Sequence, residues 1–257
     1  MSRYSRNEIE RLRSGMLDAV ADADTLTDIV RLSLRRDILS LALEPGVRLT
    51  LRTLKSRYGF GATPLREALW NLAGEGLISN EPQAGFRVAE ASRDRLVGLS
   101  GLRQHMEPWA LKHAMQSEDR LWIRKVDASY ARLAPIDALV GDPRAIDPGW
   151  EKAHRDFHLS ILAGCKMPAL LREILRWNEE TDRYRRLISP TLGFTVGNKP
   201  DHDLLYEAVR NSDVALATAT LEAHIASTTA RHLSYFDDAT PTGDHPEKPA
   251  HARVRAA

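Results

Sequence analysis

The sequence predicts a mainly α-helical chain, with an N-terminal winged helix-turn-helix followed by an antiparallel all-α bundle of about six helices. Three observations predict it. Apolar residues recur at helical spacing in short segments up to Leu72. Two short extended runs then flank a Pro- and Gly-containing turn near residues 77–88. Beyond residue 91 long helical patterns, broken by Pro, Gly and Asp, fill the chain, and no strand pattern occurs.

The elements follow in order. Ile29, Leu32, Leu34, Ile38, Leu39 and Leu41 keep a helical period until Pro45-Gly46, which is expected to stop the helix. A short helix fits Leu51 to Tyr58, closed by Gly59. Thr63 is expected as the N-cap of the next helix with Pro64 at its first position. Leu65, Ala68, Leu69 and Leu72 line one face of that helix, which ends at Gly74 or Gly76. Leu77-Ile78-Ser79 and Phe86-Arg87-Val88 read as a hairpin around residues 81–85. Bundle helices are expected near 92–117, 118–134, 148–163, 167–188, 201–211 and 213–236, with breaks at Pro135, Gly141-Asp142-Pro143, Gly164, Ser189–Pro200 and Asn211-Ser212. Asp213 suits the N-cap of the last helix. The expected organisation is an extension (1–25), a winged helix-turn-helix domain (26–90), a helical domain (91–238) and a Pro-rich tail (239–257) that cannot bury a core.

Composition bounds the function. A hydrophobic share of 43% and a charged share of 28% belong to a globular protein rather than a disordered one. The 36 Lys+Arg against 35 Asp+Glu exclude a polybasic chain, but nucleic-acid binding needs only local charge. No apolar run approaches the roughly 20 residues of a membrane span, and the first residues lack a signal peptide's apolar segment. A cytoplasmic protein with no membrane partner is therefore expected. Cys165 is the single cysteine, so a metal would fall to histidines and carboxylates.

Two groups of residues carry chemistry. Arg48, Arg52, Lys55, Arg57 and Arg66 occur with no acidic residue between Arg48 and Arg66, on the two helices of the helix-turn-helix. The N-terminal end of a recognition helix meets base edges and phosphates, and its free N–H groups favour anions. Arg66 is placed for a phosphate or guanine contact; the competing reading is an ion pair with Glu67 or Glu75. In the segment Glu151–Leu171, His154 and His158 stand at i and i+4 and share a helix face, the spacing at which two imidazoles hold one metal ion. His202 and His224, on two further helices, could complete a site inside a bundle.

Thr63-Pro64-Leu65-Arg66-Glu67-Ala68-Leu69, Glu75-Gly76-Leu77-Ile78 and Gly85-Phe86-Arg87-Val88, with Leu43-Glu44-Pro45-Gly46 upstream, resemble the signature of GntR-family transcriptional regulators. The resemblance implies DNA contacts by Arg52 and Arg66, with Thr63 at the helix start and Gly85 at the wing tip. Gly61-Ala62 stands where many members have Ser-Arg, and Ala84 where many have Arg, so Lys55 and Arg87 are expected to compensate. His154-Arg155-Asp156-Phe157-His158, Asp201-His202 and Leu221-Glu222-Ala223-His224, with Arg103 and Glu107 earlier, are similar to the FCD effector domain of the FadR subfamily. That resemblance implies a homodimer on operator DNA, a divalent metal, and a small organic acid as effector. Its metal site commonly has Asp where this chain has His154, and four imidazoles favour zinc, or nickel, over calcium or magnesium. Arg103 with Glu107, and the triplet Arg183-Tyr184-Arg185, are the expected effector contacts; the triplet resembles that of glutarate-responsive members and suggests a dicarboxylate. A repressor is the expected sign. A purely structural metal is the alternative. A metallohydrolase is disfavoured, because Arg155 stands where a His-Glu-x-x-His helix carries its general base.

Overall fold

The computed structural model describes residues 25–81, 85–117, 119–137, 146–192 and 199–237. The expected extension before Thr25, the tail after Asp237, the turn residues 82–84 and the break at 141–143 lie outside the described residues.

The N-terminal domain is built on α1 (Leu26–Leu39), capped by Thr25, whose hydroxyl accepts from the Asp28 N–H at 3.1 Å. Ile29, Val30, Leu34 and Ile38 are wholly buried. The helix ends before the expected Pro45-Gly46: Leu41 takes a left-handed φ of 65°, so it leaves the helical register. Strand β1 (Arg48–Leu49) precedes α2 (Leu51–Tyr58), which Thr50 caps and Gly59 closes at φ 75°. Helix α3 (Ala62–Gly74) starts earlier than expected. Gly61 is its N-cap residue and makes no side-chain cap bond, so Thr63 lies inside the first turn rather than capping it. Pro64 is tolerated there because first-turn N–H groups have no partner within the helix. Strands β2 (Ile78–Glu81) and β3 (Gly85–Val88) form the expected hairpin, pairing Ile78 with Val88 and Glu81 with Gly85. Strand β1 joins the other edge of β3, an addition that a two-residue run, lacking any period, does not announce.

The helical domain comprises α4 (Arg93–Met115), α5 (Arg120–Asp137), α6 (Pro148–Leu162), α7 (Pro168–Leu192), α8 (Lys199–Arg210) and α9 (Val214–Asp237). Asp213 caps α9 through the Leu216 N–H at 3.0 Å. Two expected breaks are corrected. α5 runs through Pro135 to Asp137, and α7 runs through Pro190 to Leu192. Each proline falls in the last turn of its helix. Bonds from Trp150 and His202 to Asp137 also hold the end of α5. Phe157, Ile161, Ile174, Leu205 and Leu221 form the apolar centre of this domain.

Charged side chains join the two domains. Glu75, at the end of α3, receives Arg35 at 3.1 Å and Arg176 of α7 at 3.2 Å. Arg35 also reaches Glu179 at 2.6 Å. Arg186 of α7 donates to the Leu39 carbonyl at the end of α1 and to Glu151 of α6, both at 2.5 Å.

Candidate DNA-binding face and buried histidine centre

On α2 and α3 the apolar sides make the core of the small domain, which leaves Arg52, Lys55, Thr63 and Arg66 exposed. Arg66 has no ion pair among the described residues. Both partners in the competing reading are engaged elsewhere: Glu67 accepts from the Thr27 hydroxyl at 2.7 Å, and Glu75 binds the arginines above. Arg57 departs from the rest of the basic stretch. It donates to Asp37 at 2.8 Å, beside the Tyr58 hydroxyl at 2.7 Å, and so braces α2 against α1. These bonds hold the Asp37 carboxyl below its usual range although burial opposes them. In the sheet, Arg48 sits directly opposite Arg87. Arg87 pairs with Glu81 at 3.5 Å and donates to the Gly46 carbonyl at 3.2 Å, which offsets the repulsion between the opposed charges. Gly85, at the tip of β3, takes φ 79°, which suits glycine. Basic side chains on α2, the start of α3 and the wing sheet thus give this domain several points for phosphate contact.

The second site is inside the bundle. α6 presents His154 and His158 on one face, α8 brings His202 from its first turn, and α9 brings His224 from its middle. One nitrogen from each of the four lies within 4.8 Å of the other three, and all four residues are buried. His158 Nε2 and His202 Nε2 are 3.4 Å apart. Bonds of about 2.0–2.1 Å from zinc to two imidazoles place their nitrogens about 3.3–3.4 Å apart in a tetrahedral site. His202 Nδ1 contacts Asp137 at 2.6 Å, and His224 Nδ1 contacts Asp201 at 3.2 Å. A carboxylate on Nδ1 holds the proton there and leaves the Nε2 lone pair inward, as a metal ligand requires. Trp150 donates to the other Asp137 oxygen at 2.8 Å and stacks on His154 at 4.7 Å. His154 Nε2 is buried without a partner, which a cation would satisfy. The residues present therefore fit a borderline transition metal.

Burial, followed by mutual charge repulsion, pushes His154 and His158 well below the ordinary histidine range. Burial also lowers His224 to about 4 against the pull of Asp201. His154, His158 and His224 are thus neutral at pH 7 and ready to ligate. His232, outside the cluster, is lowered to about 3, by burial first and then by the charge of Arg185. These histidines bind protons more readily unfolded than folded, so stability is full above about pH 6.5 and falls as pH drops toward the folded values. In chelator, the melting temperature should fall by several degrees between pH 7 and pH 5 in scanning calorimetry; a flat profile would show the imidazoles to be hydrated.

Comparison with known proteins fits both sites. Residues 26–88 match the family described as bacterial regulatory proteins, gntR family, and residues 99–227 match the FCD domain. The chain belongs to the GntR family. It is 32% identical over 215 residues to the uncharacterized HTH-type transcriptional regulator BphR of Paraburkholderia xenovorans, covering 81% of this chain and 85% of that protein. It is 31% identical over 196 residues to the HTH-type transcriptional repressor GlaR of Escherichia coli, covering 75% and 89%. The fold is shared with E. coli McbR/YncC at a TM-score of 0.67 and 21% identity, over 82% of this chain and 99% of that one. This GntR-family chain is accordingly a DNA-binding transcriptional regulator with an FCD domain, and its relatives are regulators rather than enzymes. Among the described residues no helix is long and apolar enough to cross a membrane.

Within the regulator's FCD domain the expected effector contacts separate. Arg103 donates to Glu107 at 2.6 Å, and both are buried. Arg185 lies over the Trp150 ring at 5.4 Å, and that ring stacks on His154. Arg183 and Tyr184 face elsewhere. Arg183 donates to the Ala89 carbonyl at 2.6 Å, and the Tyr184 hydroxyl bonds the Ser92 backbone at 3.0 Å. Asp137, Trp150 and Asn178 were not anticipated. Asn178 donates to Glu107 Oε1 at 3.0 Å. Asp137 and Asn178 lie many residues from their partners, so no i, i+4 pattern signals them, whereas Trp150 does stand at i, i+4 to His154.

Proposed function

We propose that this chain is a cytoplasmic transcriptional repressor that binds operator DNA as a homodimer and senses a small organic acid at a divalent metal, with zinc the first candidate and nickel the second. The observation that carries this reading is the convergence of four buried imidazoles, two of them oriented by carboxylates, on one point inside the bundle. His154, His158, His202 and His224 would hold the ion; bound, it supplies a Lewis-acid position for a carboxylate oxygen. Arg103, held by Glu107, would grip the acid's other oxygen. Arg185 adds a second positive charge.

Arg66, Arg52, Lys55, Thr63, Arg87 and Gly85 would meet the DNA, with the paired heads spanning a near-palindromic site. A route from acid to DNA exists in the side chains. Glu151 lies one turn before His154 on α6 and holds Arg186, which holds the last turn of α1. An acid that shifts α6 would alter how firmly the DNA-binding domain is held, provided it binds the two states unequally. A purely structural metal is the second reading. Operator titration with and without organic acids, in zinc and in chelator, separates them: only the sensing reading predicts an acid effect that chelator removes.

A further inference from the structure

Arg183 and Tyr184 take no part in the histidine centre, yet both are buried on the long helix α7. That helix meets the DNA-binding domain through Arg176, Glu179, Arg183 and Arg186. They stand at i, i+3, i+7 and i+10 and fall within an arc of about 80°. Each grips a different point. Arg176 pairs with Glu75 at the end of α3 at 3.2 Å, and Glu179 pairs with Arg35 of α1 at 2.6 Å. Arg186 donates to the Leu39 carbonyl, which ends α1, and Arg183 donates to the Ala89 carbonyl at 2.6 Å, just past β3. Asn178 and Arg185 lie about 180–200° round the helix. They face the helical domain instead, at Glu107 and over Trp150.

Only Ala89 to Ser92 connect β3 to α4, and α7 fastens both ends of that linker. The Ala89 N–H is bonded to the Leu77 carbonyl of the DNA-binding domain at 2.9 Å, while its own carbonyl accepts from Arg183. Three residues on, the Tyr184 hydroxyl accepts from the Ser92 N–H at 3.2 Å and donates to the Ser92 carbonyl at 3.0 Å. Between them the Glu90 carboxylate lies so close to Gly46 that a Cβ has no room there.

Burying Arg183 costs stability. It is 1% exposed, and its Nε has no partner. Among the described residues no carboxylate pairs with it, and Glu180, one turn before, is bonded to Arg95. An apolar side chain of similar length would fill the space without that cost. What the guanidinium adds is the bond to the linker carbonyl.

Resting on the homodimer reading above, we propose that Arg183 and Tyr184 are positioning residues that lock the linker, so that each DNA-binding domain is held at one place on its helical domain and the dimer accepts a single half-site spacing. Neither residue touches DNA. One base pair added between half-sites moves the second by about 3.4 Å and turns it by about 35°. Locked domains cannot follow that movement, whereas domains on a free linker can.

The test uses the full-length protein and an operator that it selects from random duplex DNA. Anisotropy titrations compare that operator, versions respaced by one and two base pairs, and a single half-site. Wild type should lose about tenfold or more when respaced by one base pair, because its two domains no longer engage together. Arg183→Met and Tyr184→Phe should each lose less than about threefold on the same DNA and bind the single half-site as wild type does. Arg183→Met should also melt at or above the wild-type temperature. Wild-type selectivity for spacing in both variants, or indifference to spacing in wild type, would overturn the lock and leave the homodimer reading intact. Equal weakening of both variants on every DNA would mark a merely structural role and overturn the lock as well. Selection of unpaired half-sites by wild type would overturn both readings.

Discussion

Replacing His158 with alanine is expected to remove stoichiometric zinc and, with it, any acid response. His158 is the central member of the cluster: its ring lies 4.5 Å from His154, 5.3 Å from His202 and 5.1 Å from His224. It is essentially inaccessible to solvent, so no water stands ready to replace its nitrogen. Loss of even an outer-shell partner typically weakens a metal site about tenfold to a hundredfold, and loss of a ligand should exceed that. Because burial keeps His154 and His224 neutral in the absence of metal, the variant should still fold. Elemental analysis of the purified, folded variant provides the check; full zinc occupancy would remove His158 from the site.

The second large effect belongs to Arg66. It stands exposed at the start of α3, and the carboxylates that could have paired with it are bonded to other residues. Arg66→Ala should weaken operator binding by about 1–3 kcal/mol if the side chain reads a base. If it touches only phosphate, the loss should fall equally on specific and random DNA, and the salt slope of log K should drop by about 0.9. A fluorescence-anisotropy titration on both DNAs at several salt concentrations distinguishes the two contacts. Affinity unchanged on both DNAs would place Arg66 away from the DNA.

Much of this was legible in the sequence because local chemistry decided it. Thr50 and Gly59 bracket α2 as cap and left-handed stop, and Asp213 opens α9. His154 and His158 announced a shared face by spacing alone. The departures have physical causes as well. Thr63 looked like a cap by residue type, but Gly61, already extended, let the helix begin at Ala62. Pro135 looked like a stop, but the bonds made to Asp137 hold the turn that contains it. The triplet Arg183-Tyr184-Arg185 was read as a unit, although neighbours on a helix differ by about 100° in direction. The structure sends Arg185 toward the histidines and its two neighbours toward the linker before α4. Asp137 had no sequence signal, since only the packing of α5 against α8 brings it to His202, 65 positions away.

The most direct test of the account is operator affinity measured on the zinc-loaded protein, with and without a saturating organic acid, and again after chelation. The account predicts that the acid changes the operator dissociation constant about fivefold or more in zinc, the usual scale of allosteric coupling, and leaves it unchanged in chelator. An affinity indifferent to every acid in zinc, or an acid effect that survives complete removal of the metal, would contradict it.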